Sequence, residues 1–270
     1  RLAVFSDIHG NLPALDSVLA DLRGLTLWDG ILVAGDIAGG PWQQAVFERL
    51  LELGARMVQG NVEQGIARLA LGTAPAFYST SKQYAMVRWE LANLSHDIID
   101  LICDLPAQEV WGEDGQAGGV GNIRIMHGSP RQITEHVFPA NLGEMTAITR
   151  EPVLVFGHSH LPWQARAGDR LGMNPGAVSF SQTGFTGAQY ALLEWDGETW
   201  RPTFREVQYD LVSMAGNYRR SAFWRTGPLA RVYLRSILTG IDYLPVFFGI
   251  ANRLAQEAGV RQRGAGRRGR

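Results

Sequence analysis

The sequence predicts an α/β protein built on a sheet of parallel strands. Three short apolar segments with strand character, residues 2–5, 31–34 and 56–59, alternate with two segments whose apolar residues recur at helical spacing, residues 12–22 and 41–53. Strands that alternate with helices form parallel sheets with right-handed crossovers. Hydrophobic residues make up 46% of the 270-residue chain and charged residues 19%, which is enough apolar material for the sizeable core of such a fold.

Local signals support the helices of this first half. Asn11 is a good N-cap for the helix over residues 12–22, whose first turn tolerates the proline it contains, and Gly24 is expected to end that helix. Residues 62–105 are then predicted to be mostly helical. A helical insertion is therefore expected to interrupt the alternation of strand and helix after the third strand.

The second half of the chain is predicted to contain further strands. Residues 122–126 and 153–156 have strand character, and the glycine-rich residues 113–121 predict a surface turn. The capping-box spacing of Asn141 and Glu144 predicts a helix that runs to about residue 150. Four short strands are expected after that, at residues 164–167, 170–173, 189–195 and 200–209. Their turn signals predict a second sheet made largely of antiparallel strands.

The C-terminal part of the chain has a different character. Residues 210–270 are predicted to form a helical extension packed on the same domain as residues 1–209, because no linker separates the two parts. The apolar run over residues 237–254 favours core or interface packing, and makes this region a candidate for homo-oligomer contacts. The arginine- and glycine-rich tail, residues 261–270, is expected to be disordered.

Net charge and composition argue against several classes of protein. The formal net charge of −1 gives no electrostatic case for an obligatory nucleic-acid partner. Cys103 is the single cysteine, so an intrachain disulfide is excluded and a packed structural thiol is expected. The sequence carries no signal-peptide pattern and no apolar stretch of the ~18 residues that a membrane span requires. We therefore expect a cytoplasmic location.

Side chains of metal-ligand type occur where five predicted strands end. They are Asp7, His9, Asp36, Asn61, His127, His158 and His160. Each of these ligands or ligand pairs has a glycine beside it, which lets the backbone turn sharply and approach an ionic centre. Because ligands bind parallel sheets beyond the carboxyl ends of the strands, we expect these side chains to converge. The remaining histidines, His96 and His136, are assigned to packing or to the surface.

A mixture of carboxylates and imidazoles suits a divalent metal such as Mn, Fe, Ni or Zn. Seven such groups are enough for a two-metal centre. Two divalent ions roughly 3.5–4 Å apart can share one carboxylate and one water, which ionises near neutral pH and attacks phosphorus in line. Asp36 is the best candidate for the shared carboxylate, because Asp7 already has His9 beside it.

The ordered set of these motifs resembles the calcineurin-like metallophosphoesterases over about residues 2–195. The motifs are Asp7-x-His9, Gly35-Asp36, Gly60-Asn61, His127 and Gly157-His158-x-His160. The stretch over residues 6–15 and the turn Asn174-Pro175-Gly176 are similar to the small bacterial and archaeal phosphodiesterase branch of that family. The resemblance implies a four-layer α/β/β/α sandwich of two mixed β-sheets flanked by helices. It also implies hydrolysis of phosphate esters with divalent metal ions.

Carried over residue by residue, the resemblance implies two ligand sets that share Asp36. The first metal would be held by Asp7, His9, Asp36 and His160. The second would be held by Asp36, Asn61, His127 and His158. Within this site Asp36, Asn61 and His127 are assigned catalytic roles.

The sequence departs from many family members at Val62, where they have a histidine that protonates the leaving group. A positioned acid is worth about 10²–10⁴-fold in rate, so its absence favours diesters or activated esters over simple monoesters. The neighbouring Glu63 is either an acceptor for a ligand histidine or an acid at a helix N-terminus. Asn11 and Arg131 are candidates for substrate binding, although a helix cap and a solvated arginine are the alternatives.

Three functions are therefore weighed. The first is a phosphodiesterase that acts on small-molecule phosphate esters with a hydroxide bridging two divalent metals. The second is a phosphomonoesterase, or a nucleotide or protein phosphatase, of the same fold. The third is a non-catalytic protein-binding scaffold with this fold, in which catalytic groups have eroded. The complete ligand set favours an enzyme, and Val62 favours the diesterase.

Overall fold

The computed structural model describes residues 1–25, 28–112 and 122–254. The predicted turn at 113–121 and the basic tail at 261–270 lie outside these residues. The strands are β1 Leu2–Phe5, β2 Gly30–Val33, β3 Arg56–Met57, β4 Gln108–Trp111, β5 Ile123–Met126, β6 Val153–Val155, β7 Trp163–Ala167, β8 Arg170–Asn174, β9 Ala188–Trp195 and β10 Trp200–Val207. The helices are α1 Leu12–Arg23, α2 Gln43–Glu52, α3 Asn61–Ala70, α4 Ala76–Thr80, α5 Ala85–Ala92, α6 His96–Asp104, α7 Leu142–Ile148, α8 Leu211–Arg220, α9 Pro228–Thr239 and α10 over residues 244–254.

The first sheet has the strand order β10-β9-β1-β2-β3. Its strands β1, β2 and β3 are parallel, with Ala3 opposite Ile31 and Val33 opposite Met57. On the other side of β1, the long strand β9 runs antiparallel and pairs with β10. The predicted alternation of strand and helix is confirmed for this half of the fold, and it places the carboxyl ends of β1, β2 and β3 at one edge.

The second sheet has the order β4-β5-β6-β8-β7. Its three central strands β5, β6 and β8 are parallel, and the edge strands β4 and β7 are antiparallel to their neighbours. The prediction that the last four strands form a largely antiparallel second sheet is wrong. Strands β7 and β8 belong to the second sheet, whereas β9 and β10 complete the first. Turn signals identify which strands are neighbours in sequence, but long-range pairing decides which sheet each pair joins.

Side chains of β1 show how the layers are arranged. Ala3 and Phe5 belong to the apolar cluster shared with α1, α2 and α6, while Leu2 and Val4 belong to the cluster between the two sheets. This alternation follows from the two-residue period of a strand. On the outer face of the second sheet, Leu142 of α7 packs with residues of β5 and β6. The result is the expected four-layer α/β/β/α sandwich with two mixed sheets.

The helix predicted after residue 141 is confirmed, but its predicted capping box is wrong. Asn141 makes no side-chain bond to the first turn of α7. Its Oδ1 instead accepts a hydrogen bond from the backbone N–H of Phe138 at 2.7 Å, and its Nδ2 donates to the carbonyl oxygen of His136 at 3.1 Å. The side chain therefore stabilises the segment before the helix rather than the helix itself.

The helices after residue 210 pack on the helical insertion and on the loop after β8. Met214, Tyr218, Phe223 and Tyr233 share an apolar cluster with Met86 of α5. Asp210 caps α8 by accepting from the N–H of Ser213 at 2.9 Å, and α9 ends at Gly240 with a left-handed φ of 66°. Within the described residues, none of the helices combines the length and the apolar composition that a membrane span requires.

Candidate metal centre

The loops after β1 and β2 continue the pairing of their strands. The backbone N–H groups of Asp7, His9 and Gly10 donate to the carbonyl oxygens of Gly35, Asp36 and Ile37 at 3.0, 2.9 and 2.8 Å. The carboxyl ends of two parallel strands thus stay in register for several residues beyond the sheet. This pairing places Asp7, His9 and Asp36 side by side.

Two glycines allow other loops to approach this edge closely. A Cβ at Gly60 would lie 2.2 Å from Oδ1 of Asp36, and a Cβ at Gly157 would lie 2.1 Å from Oγ of Ser6. Real Cβ atoms do not approach heavy atoms so closely, so a side chain at either position would push the loops apart. The glycines that precede Asn61 and His158 are therefore needed because neighbouring loops leave no space for a side chain, and not only because of turn geometry.

The backbone is strained where the candidate ligands lie. Among the described residues, six residues other than glycine have a φ between 48° and 68°. They are Asp7, His9, Asp36, His158, His160 and Phe180. Left-handed φ costs on the order of 1–3 kcal/mol for such residues and persists only where the surroundings impose it. Concentration of this strain in one place is typical of a functional site.

Asp7, His9 and His160 form the first cluster of candidate ligands. Nε2 of His160 lies 3.0 Å from Oδ1 of Asp7, and Nε2 of His9 lies 3.9 Å from the same oxygen. The two imidazole Nε2 atoms are 3.3 Å apart. All three side chains are buried, so these atoms face one another and not bulk water.

Asp36, His127 and Asn61 form the second cluster. Nε2 of His127 lies 3.4 Å from Oδ1 of Asp36 and 3.1 Å from Oδ1 of Asn61. The other carboxylate oxygen of Asp36, Oδ2, lies 3.8 Å from Nε2 of His9. Asp36 therefore faces both clusters, one with each oxygen.

His158 joins these clusters through its backbone and its ring. Its N–H donates to Oδ2 of Asp7 at 3.1 Å, and its ring centroid lies 5.0 Å from that of His127. On its other side the ring stacks on His136 with centroids 4.4 Å apart. His136 thus packs against a candidate ligand, whereas His96 lies at the start of α6.

Backbone carbonyl groups fix the orientation of three of the histidines. Nδ1 of His127 donates to the carbonyl oxygen of Ala34 at 2.8 Å, and Nδ1 of His160 donates to that of Phe180 at 2.7 Å. Nε2 of His158 lies 3.1 Å from the carbonyl oxygen of Thr134. A carbonyl oxygen only accepts, so these nitrogens carry the hydrogen, and the other ring nitrogen keeps its lone pair in the neutral imidazole.

Burial and the neighbouring charged groups determine which side chains of the two clusters are ionised. Burial lowers the pKa of His9 and of His158, each to about 4, which keeps both imidazoles neutral. Burial acts against the charged forms of Asp36 and His127 as well, but their mutual attraction outweighs it. The pKa of Asp36 falls to about 2 and that of His127 rises to about 10.

A cation fits the donor atoms that converge here. No described residue donates a hydrogen bond to the buried Oδ1 of Asp7, and the neutral His160 ring would face it with a lone pair because its Nδ1 donates to Phe180. Burial lowers the pKa of His160, but the charge of Asp7 outweighs it and raises that pKa, so a positive charge between the two atoms is favoured. Acceptors that face one another at 3.0–3.3 Å repel unless a positive charge lies between them. The carboxylate and imidazole donors are those that Mn, Fe, Ni and Zn prefer.

Glu63 supports the loop that carries Asp36. Its Oε2 accepts from the N–H groups of Asp36 and Gly60 at 2.9 and 2.8 Å, and its Oε1 accepts from those of Ile37 and Ala38 at 2.9 and 2.8 Å. Its partners are backbone amides rather than a ligand histidine, which favours the second of the two interpretations made from the sequence. Burial and the charge of Asp36 raise the pKa of Glu63 to about 7.

The two candidate substrate contacts are engaged elsewhere. Asn11 accepts from the N–H of Ala14 at 3.2 Å, which caps α1, and donates to Oγ of Ser179 and the hydroxyl of Tyr209 at 3.0 and 3.1 Å. The exposed guanidinium of Arg131 donates to Glu135 at 2.5 Å and to Glu144 at 3.0 Å. Neither side chain reaches the clusters.

Sequence reasoning did not identify several neighbours of the clusters. Ser6 donates from Oγ to Oδ2 of Asp7 at 2.6 Å. The rings of Phe180 and Tyr233 lie 5.0 Å from His160 and 5.7 Å from His9. Ser6 directly precedes a predicted ligand, which was an available signal. Nothing in the spacing of Phe180 or Tyr233 links them to the strand ends.

This fold and this cluster of carboxylates and imidazoles define the class of metal-dependent phosphoesterases. Residues 1–198 match the calcineurin-like phosphoesterase superfamily domain, and the chain belongs to this family. The protein is accordingly a phosphoester hydrolase by family. The match ends before α8, so the last helices lie outside the family domain.

Two relatives and two solved structures illustrate the similarity. The phosphodiesterase YfcE of Escherichia coli K12 is 27% identical over 211 residues, which cover 73% of this chain and 88% of that protein. The uncharacterized protein MJ0912 of Methanocaldococcus jannaschii is 25% identical over 228 residues, covering 78% and 88%.

The structures are a metallophosphoesterase from Sphaerobacter thermophilus and the hypothetical protein PH1004 from Pyrococcus horikoshii OT3. Their TM-scores are 0.71 and 0.74, at 24% and 20% identity. They cover 89% and 88% of this chain, and 99% and 98% of their own chains, so the shared fold extends beyond the family domain.

Proposed function

We propose that the protein is a phosphodiesterase that uses two divalent metal ions. The position of Asp36 carries this proposal, because its two carboxylate oxygens face different clusters. One ion would be held by Asp7, His9, Asp36 and His160. The other would be held by Asp36, Asn61, His127 and His158, with Mn, Fe, Ni or Zn as the candidates.

When bound, such a pair of ions supplies Lewis-acid polarisation of the phosphoryl group and a nucleophile from water near neutral pH. The protein would hold the site in a single arrangement through the carbonyl groups that orient His127, His158 and His160. Because Glu63 bonds to the backbone on both sides of Asp36, the shared carboxylate would move little during the reaction. These supports keep a charged site rigid without the cost of reorganisation.

Two observations favour diesters as the substrate. Val62 follows the candidate ligand Asn61 and its backbone N–H donates to Oδ1 of Asp36 at 2.9 Å, but its side chain has no proton for a leaving group. A poor leaving group such as a simple alkoxide depends on such a proton, whereas an activated ester does not. The relative YfcE is named a phosphodiesterase, which agrees with a small-molecule diester as substrate.

Metal analysis combined with an activity panel tests the proposal. The protein as purified and after Mn loading is assayed for metal per chain and for hydrolysis of bis(p-nitrophenyl) phosphate and p-nitrophenyl phosphate. We expect binding of up to two ions and preference for the diester. Asp36→Asn should bind less metal, and its hydrolysis rate should fall by at least about 100-fold, because a charged carboxylate shared by both ligand sets becomes a neutral amide.

Asp169→Asn is the matched control, because Asp169 is exposed in the turn between β7 and β8. It should behave as the unaltered protein. If the protein binds no transition metal and no ester is cleaved with added Mn, the enzyme assignment fails. A clear preference for the monoester would overturn only the diesterase assignment.

A further inference from the structure

A cavity of about 630 Å³ opens beside the second cluster of candidate ligands, between α3 and residues 128–134. Asn61 lines it, together with Gly128, which follows His127, and Thr134, whose carbonyl oxygen accepts from His158. Its volume is within the range that holds a ligand much larger than a single phosphate group. A substrate whose phosphorus lies at the cluster therefore has room for its alcohol part here.

The first cluster is covered by aromatic rings, which do not line the cavity. Phe180 packs edge-on against His160, and Tyr233 packs edge-on against His9. The two aromatic rings also contact each other, with centroids 5.3 Å apart. His9 and His160 are only 4% and 5% exposed, so the alcohol part of a substrate has no room on their side.

One face of α3 forms a wall of the cavity. Asn61, Gln64, Gly65 and Arg68 line it, at the i, i+3, i+4 and i+7 positions that share a helix face. Arg68 lies about 10 Å along the helix axis from Asn61, since seven residues rise ~1.5 Å each. Gly65 widens the cavity between these two side chains, and Tyr78 lines the wall next to it.

The charge of the cavity is positive, and Arg68 carries it. None of the described residues that line the cavity is acidic. The other arginine in the lining, Arg131, is paired with Glu135 and Glu144. Arg68 is exposed, and within the described ranges its guanidinium has no ion pair. A free guanidinium in a cavity without acids is a binding group for a phosphate or a carboxylate.

We propose that Arg68 binds a second anionic group of the substrate, on the alcohol part of the diester. This inference rests on the proposed function, because the scissile phosphate is placed at Asn61 and His127. The preferred substrate is then a phosphodiester that carries a further phosphate or carboxylate, not a neutral diester. Arg68 selects the substrate, and the ligand clusters act on it.

p-Nitrophenyl esters of thymidine nucleotides test this selection in the Mn-loaded protein, because their activated leaving group needs no proton from the protein. The 5′- and 3′-(p-nitrophenyl phosphate) esters of thymidine have only the diester, whereas their 3′- and 5′-phosphorylated forms add one terminal phosphate. We expect kcat/KM for at least one phosphorylated ester to exceed that for its unphosphorylated parent by about tenfold or more, in keeping with a charge-assisted hydrogen bond. In Arg68→Gln this preference should vanish, and Arg68→Lys should retain part of it because the charge remains.

Arg23→Gln is the matched control, since Arg23 is exposed at the end of α1 and lies outside the cavity. Equilibrium binding of thymidine 3′,5′-bisphosphate and thymidine 3′-monophosphate, measured by calorimetry, gives a readout that does not depend on turnover. Arg68→Gln should weaken the bisphosphate about tenfold more than the monophosphate, and Arg23→Gln should change neither.

The outcomes separate the two proposals. If diesters are cleaved but Arg68→Gln keeps the preference and the bisphosphate affinity of the unaltered protein, the role of Arg68 is overturned. If no diester is cleaved while Arg68→Gln still weakens bisphosphate binding selectively, the proposed function fails and the binding role stands. Selectivity for one phosphorylated ester over the other would identify the end of the nucleotide that occupies the cavity.

Discussion

The ring of Tyr233 on α9 lies against the ring of His9, with centroids 5.7 Å apart and planes inclined by 62°. Tyr233 is beyond the matched family domain, which ends at residue 198. The helices after residue 210 thus contribute a wall to a centre whose candidate ligands all come from strand ends. Phe180 completes this wall, since it contacts Tyr233 and also orients His160 through its carbonyl oxygen.

Removal of the Tyr233 ring should loosen the first cluster. Tyr233→Ala leaves a gap beside His9, and we expect a loss of about 3–5 kcal/mol in unfolding free energy together with roughly tenfold weaker metal binding. Tyr233→Phe keeps the ring and should therefore keep the stability and the metal affinity of the unaltered protein. Urea unfolding and competition with a chelator measure the two effects. Unchanged metal affinity in Tyr233→Ala would show that the wall does not position His9.

Glu63→Gln should disturb the loop that holds Asp36. The carboxylate accepts four backbone N–H groups, and an amide would turn two N–H donors toward two of them. We expect a loss of about 2–4 kcal/mol in unfolding free energy and a 10- to 100-fold loss, roughly, in metal affinity. Unfolding curves and metal titration measure these changes. The control is Glu52→Gln, because Glu52 is an exposed acid on α2. Equal behaviour of the two variants would contradict this role of Glu63.

Glu90 should make stability depend on pH. It is fully buried, no described residue donates a hydrogen bond to either carboxylate oxygen, and the charged groups that face it are Glu63 and Asp36. Burial, and then these negative charges, raise its pKa from 4.5 to about 8. The folded state therefore binds a proton that the unfolded state releases, so stability is full below about pH 4.5 and declines as pH rises to about 8. The whole change in the pKa of Glu90 corresponds to roughly 5 kcal/mol in the free energy of unfolding.

Glu90→Gln removes this titration, because an amide stays neutral. Urea unfolding of the chelated protein at pH 5.5, 7.0 and 8.5 should show a difference between variant and unaltered protein that grows in favour of the variant as pH rises. The nearby Tyr218 and Tyr233 stay protonated throughout, since burial raises the pKa of each. Parallel pH profiles for the two proteins would refute a raised pKa at Glu90.

Val62→His should shift the preference toward monoesters. Position 62 follows Asn61 at the start of α3, where an imidazole can protonate a leaving group near the cluster. We expect the rate on p-nitrophenyl phosphate to rise about tenfold or more relative to bis(p-nitrophenyl) phosphate, the lower part of the usual range for a positioned acid. Val62→Gln has similar bulk without a titrating group and should not change the ratio. A gain in both variants would point to side-chain size instead.

The amino-acid sequence was enough to predict the parallel alternation of the first three strands, because apolar runs and helical periodicity are local properties. It also determined which residues of ligand type follow strand ends, and the parallel arrangement then required Asp7, His9 and Asp36 to share one edge. The pairing of β9 with β1 could not be predicted, since it links residues nearly 190 positions apart in the chain. The same is true of the contacts that Tyr233 and Phe180 make with His9 and His160, which depend on long-range packing. The role of Glu63 in supporting the backbone around Asp36 also became visible only in the folded structure. Its hydrogen-bond partners there are 25–27 residues away in the chain and leave no local sequence pattern.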